Sequence, residues 1–295
     1  MVAIHLIANC QRETIELLIE HMLPEATVRA IDYSRPEALC EETRRAFHER
    51  LKEADFILVQ PGGLSFLDHV SVKQEFLNKT FVMANFYFRG LFPDSCYLGD
   101  ITDRFQEPSL YHSVAVLDAF KKGKSEKAAA ESLCLENFQR LGLMEAWDSS
   151  LEEMRRRDAM VDLPVAGLID SYCRERPGFL AVNHPSIALM YVYLRSVFDQ
   201  LGIKHRTINV AALKDPLRVH DMTPILDDVA VHYELPYRTT QHWFSQHLGQ
   251  KFMNRAEYVK RCYAAYRAVD TKRLTVHSPL DMVESLRRLG IGHLV

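Results

Sequence analysis

No two of the six cysteines form a CxxC pair, and no basic segment precedes the first apolar run of this 295-residue chain. Without paired spacing there is no disulfide framework and no zinc pattern. Cys10, Cys40, Cys96, Cys134, Cys173 and Cys262 read as reduced thiols. No window approaches the roughly 20 apolar residues that a bilayer-crossing helix needs, so no membrane span is predicted. With no export signal in view, a cytoplasmic location is expected. The net charge of −3 shows no large excess of either sign, which argues against nucleic acid or an acidic membrane as the main partner. Neither GxGxxG nor a Walker loop occurs. His242 and His247 stand five apart rather than four, which rules out a metalloprotease helix, and no metal site is predicted.

What is present alternates. Val2 to Ala8 is a short apolar run suited to a buried strand. Ile15, Leu18, Ile19 and Met22 then follow at helical spacing until Pro24. Ala26 to Ile31 reads as a second strand and Pro36 to Lys52 as a charged helix. "ADFILVQPGG" is a continuous apolar strand broken by Pro61-Gly62-Gly63, and Thr80 to Ala84 leads into an aromatic loop. Strand and helix at this pitch predict an α/β fold, helix-rich, around a small central parallel sheet. The stretch 108–176 reads as a large helical insertion. Phe179 to Val182 returns to the earlier grammar, with Asn183-His184-Pro185 as its junction and a long helix beyond. The expected organisation is an α/β core of 1–107 and 177–210, the insertion, and a helical C-terminal region, 211–295, packed on the core as one compact unit.

In an open parallel sheet, reactive groups gather outside the carboxyl ends of the strands. Four junctions carry suitable residues: Asn9-Cys10-Gln11, Gln60-Pro61-Gly62-Gly63, Asn85, and Asn183-His184-Pro185. Cys10 stands where the first helix presents free N–H groups and its positive dipole end, a place that favours thiolate. It reads equally as a small buried residue at a tight turn. Pro185 disfavours helical geometry at His184, which holds the imidazole at a strand end, either as a proton acceptor or as a helix cap. Backbone N–H groups at Cys10 and Gly62 or Gly63, with the Asn85 amide, can surround a developing oxyanion. Lys121-Lys122-Gly123-Lys124 is a solvated break between helices or a patch for phosphates. Arg89, among Phe86, Tyr87, Phe88 and Phe92, belongs to a loop that packs on the helical lobe or holds a sugar or adenine.

"IANCQ" after the first strand, "QPGG" after the third, "NFYFRGLFPD", and "NHPS" before a long helix resemble the WcbI-type family of capsular-polysaccharide biosynthesis proteins. The likeness extends over most of the chain. The layout is also similar to SGNH-type hydrolases and acyltransferases, with a flavodoxin-like sheet. By that resemblance Cys10 takes the place of the nucleophilic serine, Gly63 (or Gly62) and Asn85 line the oxyanion hole, and His184 is the base. The position three before His184 is Ala181, where the resemblance calls for an aspartate, so the orienting carboxylate is missing from its usual place.

The resemblance implies an acetyl-CoA-dependent O-acetyltransferase acting on a sugar of a bacterial surface polysaccharide. Coenzyme A enters as the acyl donor, and Gln11, Gly62, Arg89, Lys121, Lys122 and Lys124 are the candidates to contact it. Two other readings use the same residues. One is a carbohydrate esterase or deacetylase with water as acceptor, and the other a non-catalytic subunit that binds coenzyme A or glycan.

Overall fold

The computed structural model describes residues 2–34, 40–64, 74–100 and 103–295. The chain divides into two units. The first comprises Met1–Phe86, Glu153–Asp170 and His184–Leu217, and the second Tyr87–Glu152, Ser171–Asn183 and Arg218–Val295.

The first unit is built on strand Ala3–Ala8 (β1), a nearly unbroken apolar run with all but its first residue buried. A strand covered on both faces needs such a run rather than alternation. Helix Arg12–Met22 (α1) follows at once, with Ile15, Leu18, Ile19 and Met22 on its buried face. Each of these contributes about 2 kcal/mol by leaving water. Pro24 stands just beyond the Leu23 cap, where a helix cannot continue. Strands Thr27–Asp32 (β2), Phe56–Val59 (β3) and Thr80–Val82 (β4) complete a sheet of order β2-β1-β3-β4. Every pairing in it is parallel. Helix Glu41–Leu51 (α2) connects β2 to β3. The expected start of that helix, from Pro36, falls on residues 35–39, outside the described ones. In this strand order the connections leave β1 and β3 in opposite directions, which opens a crevice outside their carboxyl ends.

One expected member of the sheet is elsewhere. Phe179–Ala181 is a strand, but it belongs to the second unit and takes no place in the parallel sheet.

The stretch read as a helical insertion carries helices Val114–Lys121, Glu126–Glu131, Leu135–Arg140, Ala146–Asp158 and Ala166–Glu175. Within the second unit the structure adds something the periodicity did not announce, an antiparallel sheet. Ser95–Asp100 pairs with Asp103–Phe105, His112–Ser113 and Val276–Ser278. A hairpin of Trp243–Ser245 and Lys251–Met253 lies in the region read as helical, alongside helices Arg255–Arg267 and Leu280–Arg288. Strands of two or three residues are too short to display a period of two.

Candidate active site at the carboxyl ends of the first sheet

Neutral amides tie the carboxyl ends of three strands together. The Asn9 backbone N–H donates to Gln60 Oε1 at 2.9 Å, joining the end of β1 to that of β3. Asn9 Nδ2 donates to Asn85 Oδ1 at 3.1 Å, reaching past β4. Gln60 Nε2 donates to Gln11 Oε1 at 2.9 Å and to the Ala84 carbonyl at 3.3 Å. Gln11 Nε2 in turn donates to the Phe86 carbonyl at 2.8 Å. Buried amides must be satisfied, and here each satisfies another.

Cys10 stands inside this frame, half-buried, one residue before the Gln11 cap of α1. The turn that carries it is fixed twice. Asn9 Oδ1 accepts from the Gln11 N–H at 3.0 Å, and the Asn9 carbonyl accepts from the Arg12 N–H at 2.8 Å. The thiol is thus held at the amino end of an 11-residue helix without being sealed.

A cavity of about 200 Å³ opens beside the frame, lined by Pro61, Ala84, Asn85, Met154, Arg157 and Val161 among others. Pockets that engulf whole drug-sized ligands run to roughly 300–1,000 Å³. This one suits the reacting end of a substrate. Ala84 is anchored from below, its N–H donating to Tyr193 Oη at 2.7 Å. A larger hollow in the same unit, about 530 Å³, lies by Val2 and Phe56 at the amino ends of the strands, away from this chemistry.

The other expected site residues fall in varied places. Asn85 is half-buried, and its bond from Asn9 occupies Oδ1, which leaves Nδ2 directed elsewhere as a donor. Gly63, expected to lend its N–H to an oxyanion, instead donates it to the Gln60 carbonyl at 2.8 Å, because Pro61–Gly63 closes as a 3₁₀ turn. Gln11, expected to contact a cofactor, is fully buried and both ends of its amide are used in the frame. Its role is to hold the strand ends.

His184 belongs to the first unit, is 5% exposed, and is reached by none of the amide bonds just described. Pro185 lies outside the helix rather than in its first turn. The helix spans Ile187–Gln200, and Ser186 caps it by accepting from the Leu189 N–H at 3.3 Å. The buried Asp215 carboxylate accepts the Ile187 N–H at 2.9 Å, so an acid fixes this helix start just after the histidine.

Arg89 and the lysines lie in the second unit. Arg89 is 4% exposed, and its guanidinium is engaged by Asp281 at 2.5 Å and the Pro93 carbonyl at 3.3 Å. A buried cation already neutralised by a carboxylate is a poor phosphate ligand, which corrects that expectation. Lys121 Nζ donates to the His293 carbonyl at 2.6 Å and Lys122 Nζ to Asp118 at 2.9 Å. Lys124 is exposed. Lys121 and Lys122 line an open cleft of about 760 Å³ together with Phe120, Thr271, Lys272 and His293. Among the described residues no cluster of His, Cys, Asp and Glu is arranged to hold a metal, and no helix is long and apolar enough to cross a membrane.

Sequence reasoning passed over Gln60 and Asn9 as tethers, and Tyr33 altogether. Tyr33 directly follows β2, and asking what ends every strand, not only the four junctions singled out, would have found it.

The family model of WcbI, a polysaccharide biosynthesis enzyme, matches residues 3–206. Among solved structures the chain is similar to that of WcbI, a novel polysaccharide biosynthesis enzyme, in its native form without a disulfide bond between coenzyme A and one of its cysteines. The TM-score is 0.69 at 14% identity, over 99% of this chain and 95% of that one. No curated protein matches the sequence.

Proposed function

The chain belongs to the WcbI family of polysaccharide biosynthesis enzymes, and from that membership we propose that it is an acetyl-CoA-dependent O-acetyltransferase acting on a sugar hydroxyl of a surface polysaccharide. The observation that carries the proposal is Cys10 itself, a half-buried thiol in a turn held by an amide frame at the carboxyl ends of a parallel sheet. The solved relative is described as a native form without a disulfide bond between coenzyme A and one of its cysteines, and a cysteine close enough to coenzyme A for such a bond to be at issue supports a thiol working beside that molecule.

In the proposed reaction Cys10 begins as thiolate and His184 as imidazolium. The Cys10 sulfur attacks the thioester carbonyl, and the oxyanion is met by the Asn85 amide. The carbon–sulfur bond to the donor breaks, and His184 gives its proton to the departing thiolate. Neutral His184 then takes the proton of the sugar hydroxyl as that oxygen attacks the Cys10 thioester. Cys10 leaves as thiolate and both groups return to their starting states. Exchange of one thioester for another is close to isoenergetic, which suits a sulfur nucleophile. His184, 5% exposed just before its helix start, works away from bulk water.

Incubation with isotopically labelled acetyl-CoA, followed by intact-mass measurement, tests this reading. An acetyl adduct is expected on the native chain and none on Cys10→Ala. No adduct on the native chain, with label appearing as free acetate whether or not a sugar acceptor is present, would overturn transfer in favour of hydrolysis.

A further inference from the structure

The proposed reaction assigns a task to the turns after β1, β3 and β4 and none to the end of β2. That strand runs into Tyr33, whose N–H donates to the Ala8 carbonyl at 3.1 Å, two residues before Cys10. The Tyr33 side chain packs against the core cluster that includes Ile7, Ile57 and Val59. Its ring also covers the Pro61–Gly63 turn at very close range. A Cβ on Gly62 would lie 2.6 Å from the Tyr33 hydroxyl oxygen, and one on Gly63 would lie 3.0 Å from ring carbon Cδ1 and 2.7 Å from Ile7 Cγ2.

Neither glycine adopts a left-handed φ. The pair is required for space, as a seat for the ring, rather than for backbone freedom. Burial first, then the neighbouring Cys10 and Asp32 charges, pushes the Tyr33 phenol up to about 12. The hydroxyl therefore keeps its proton through the whole neutral range. Leaving the end of β2 and covering the turn after β3, the Tyr33 side chain crosses the end of β1, the central of the three strands and the one whose turn carries Cys10. A protonated hydroxyl is a donor, and a thiolate accepts such a bond.

We propose that Tyr33 is a positioning residue of this site, seated by Gly62 and Gly63 so that its O–H faces the Cys10 sulfur and favours the thiolate. The inference rests on Cys10 being the nucleophile, but not on coenzyme A or on acyl transfer.

The test is the pH profile of Cys10 alkylation by iodoacetamide in the full chain, resolved by peptide mass spectrometry. Cys40, which is exposed, serves as an internal reference. Tyr33→Phe keeps the ring and removes only the hydroxyl. Loss of one hydrogen bond to a charged, partly exposed group is expected to slow Cys10 alkylation about fivefold at neutral pH. The gap should close at alkaline pH, where both proteins are fully ionised, with Cys40 unchanged throughout. Equal Cys10 rates at every pH would overturn the proposal. So would a gap of constant size, since that reports access rather than ionisation. Gly62→Ala displaces the ring without removing its hydroxyl and should slow Cys10 in the same pH-dependent way, with no added effect in the Tyr33→Phe background. Additive slowing in the double variant would also overturn it. Calorimetric titration with coenzyme A is read separately. Loss of binding there with the alkylation profile intact would remove the acetyltransferase reading and leave Tyr33 in place.

Discussion

Cys10 in the first unit and Cys262 in the second are both thiols among hydrogen-bonding neighbours, and their surroundings differ in one respect that decides their chemistry. Cys10 is half-buried at an open strand end, tied into a frame of amides that carry no charge. Cys262 is wholly buried with Tyr258, Tyr266, Cys96 and His112 in the same unit's interior. Burial pushes its thiol up to about 12, and raises the Cys96 thiol well above the ordinary range for the same reason. A perturbed ionisation with no route to solvent marks structure, whereas a thiol open to solvent is able to react.

The broadest way to break that contrast is chemical. A thiol at about 12 carries a thousandth of the thiolate of one at the ordinary value of 9.0. In the native chain at pH 8, iodoacetamide should therefore label Cys262 about a thousandfold more slowly than it labels an ordinary thiol, and far more slowly than the half-buried Cys10. Comparable labelling of the two in folded protein would mean that the open and closed environments have been misassigned. In denaturant the two rates should converge.

A smaller effect tests the frame. Gln60 is fully buried and serves the Asn9 N–H, Gln11 Oε1 and the Ala84 carbonyl at once. Gln60→Leu fills much of the volume but leaves these partners unsatisfied, at a cost of about 3 kcal/mol. Urea denaturation would show it as a lowered midpoint with an unchanged slope. A midpoint within about 0.5 kcal/mol of the native one would show that the frame contributes little to holding the strand ends.

The two units were also unequally legible in the sequence. β1, α1 and β3 carry unbroken apolar runs or clean helical spacing, and the parallel sheet followed from them. The antiparallel sheet of the second unit did not, because strands such as His112–Ser113 offer no periodicity to read. At the site, the turns that bear Cys10, Pro61–Gly63 and Asn85 were visible as polar breaks after apolar runs. Which side chains face inward was not, because Gln11 is turned by partners 49 and 75 positions away. Tyr33 stayed hidden for a related reason. A tyrosine after a strand is ordinary until the glycines that seat it, about 30 positions on, are known to lie beneath its ring.

The smallest expected effect sharpens the contrast from the closed side, where two buried groups of the second unit titrate in opposite senses. His112 donates through Nε2 to the Phe105 carbonyl at 3.0 Å, a group that can only accept, so Nδ1 accepts from Tyr266 Oη at 3.1 Å. Burial lowers this imidazole to about 4. Asp94 is raised to about 6, again by burial, against the opposing bond from Ser113. For His112 the folded value lies below the unfolded 6.5, so its stability is present above 6.5 and lost as pH falls toward 4. For Asp94 the folded value lies above the unfolded 3.8, so its stability is present below 3.8 and lost as pH rises toward 6. Between pH 4 and 6 the unfolded pair holds its one proton on histidine and the folded pair holds it on aspartate. The counts match, and the two slopes cancel. The native protein should therefore owe little pH dependence to this pair across that window. His112→Gln should expose the Asp94 slope, with stability rising on acidification by up to about 1.4 kcal/mol per pH unit, and Asp94→Asn the reverse slope. Urea midpoints at pH 4.5 and 6 for the three proteins read this directly. Variants that both stay parallel to the native profile would show that neither group is held in its neutral form by the fold.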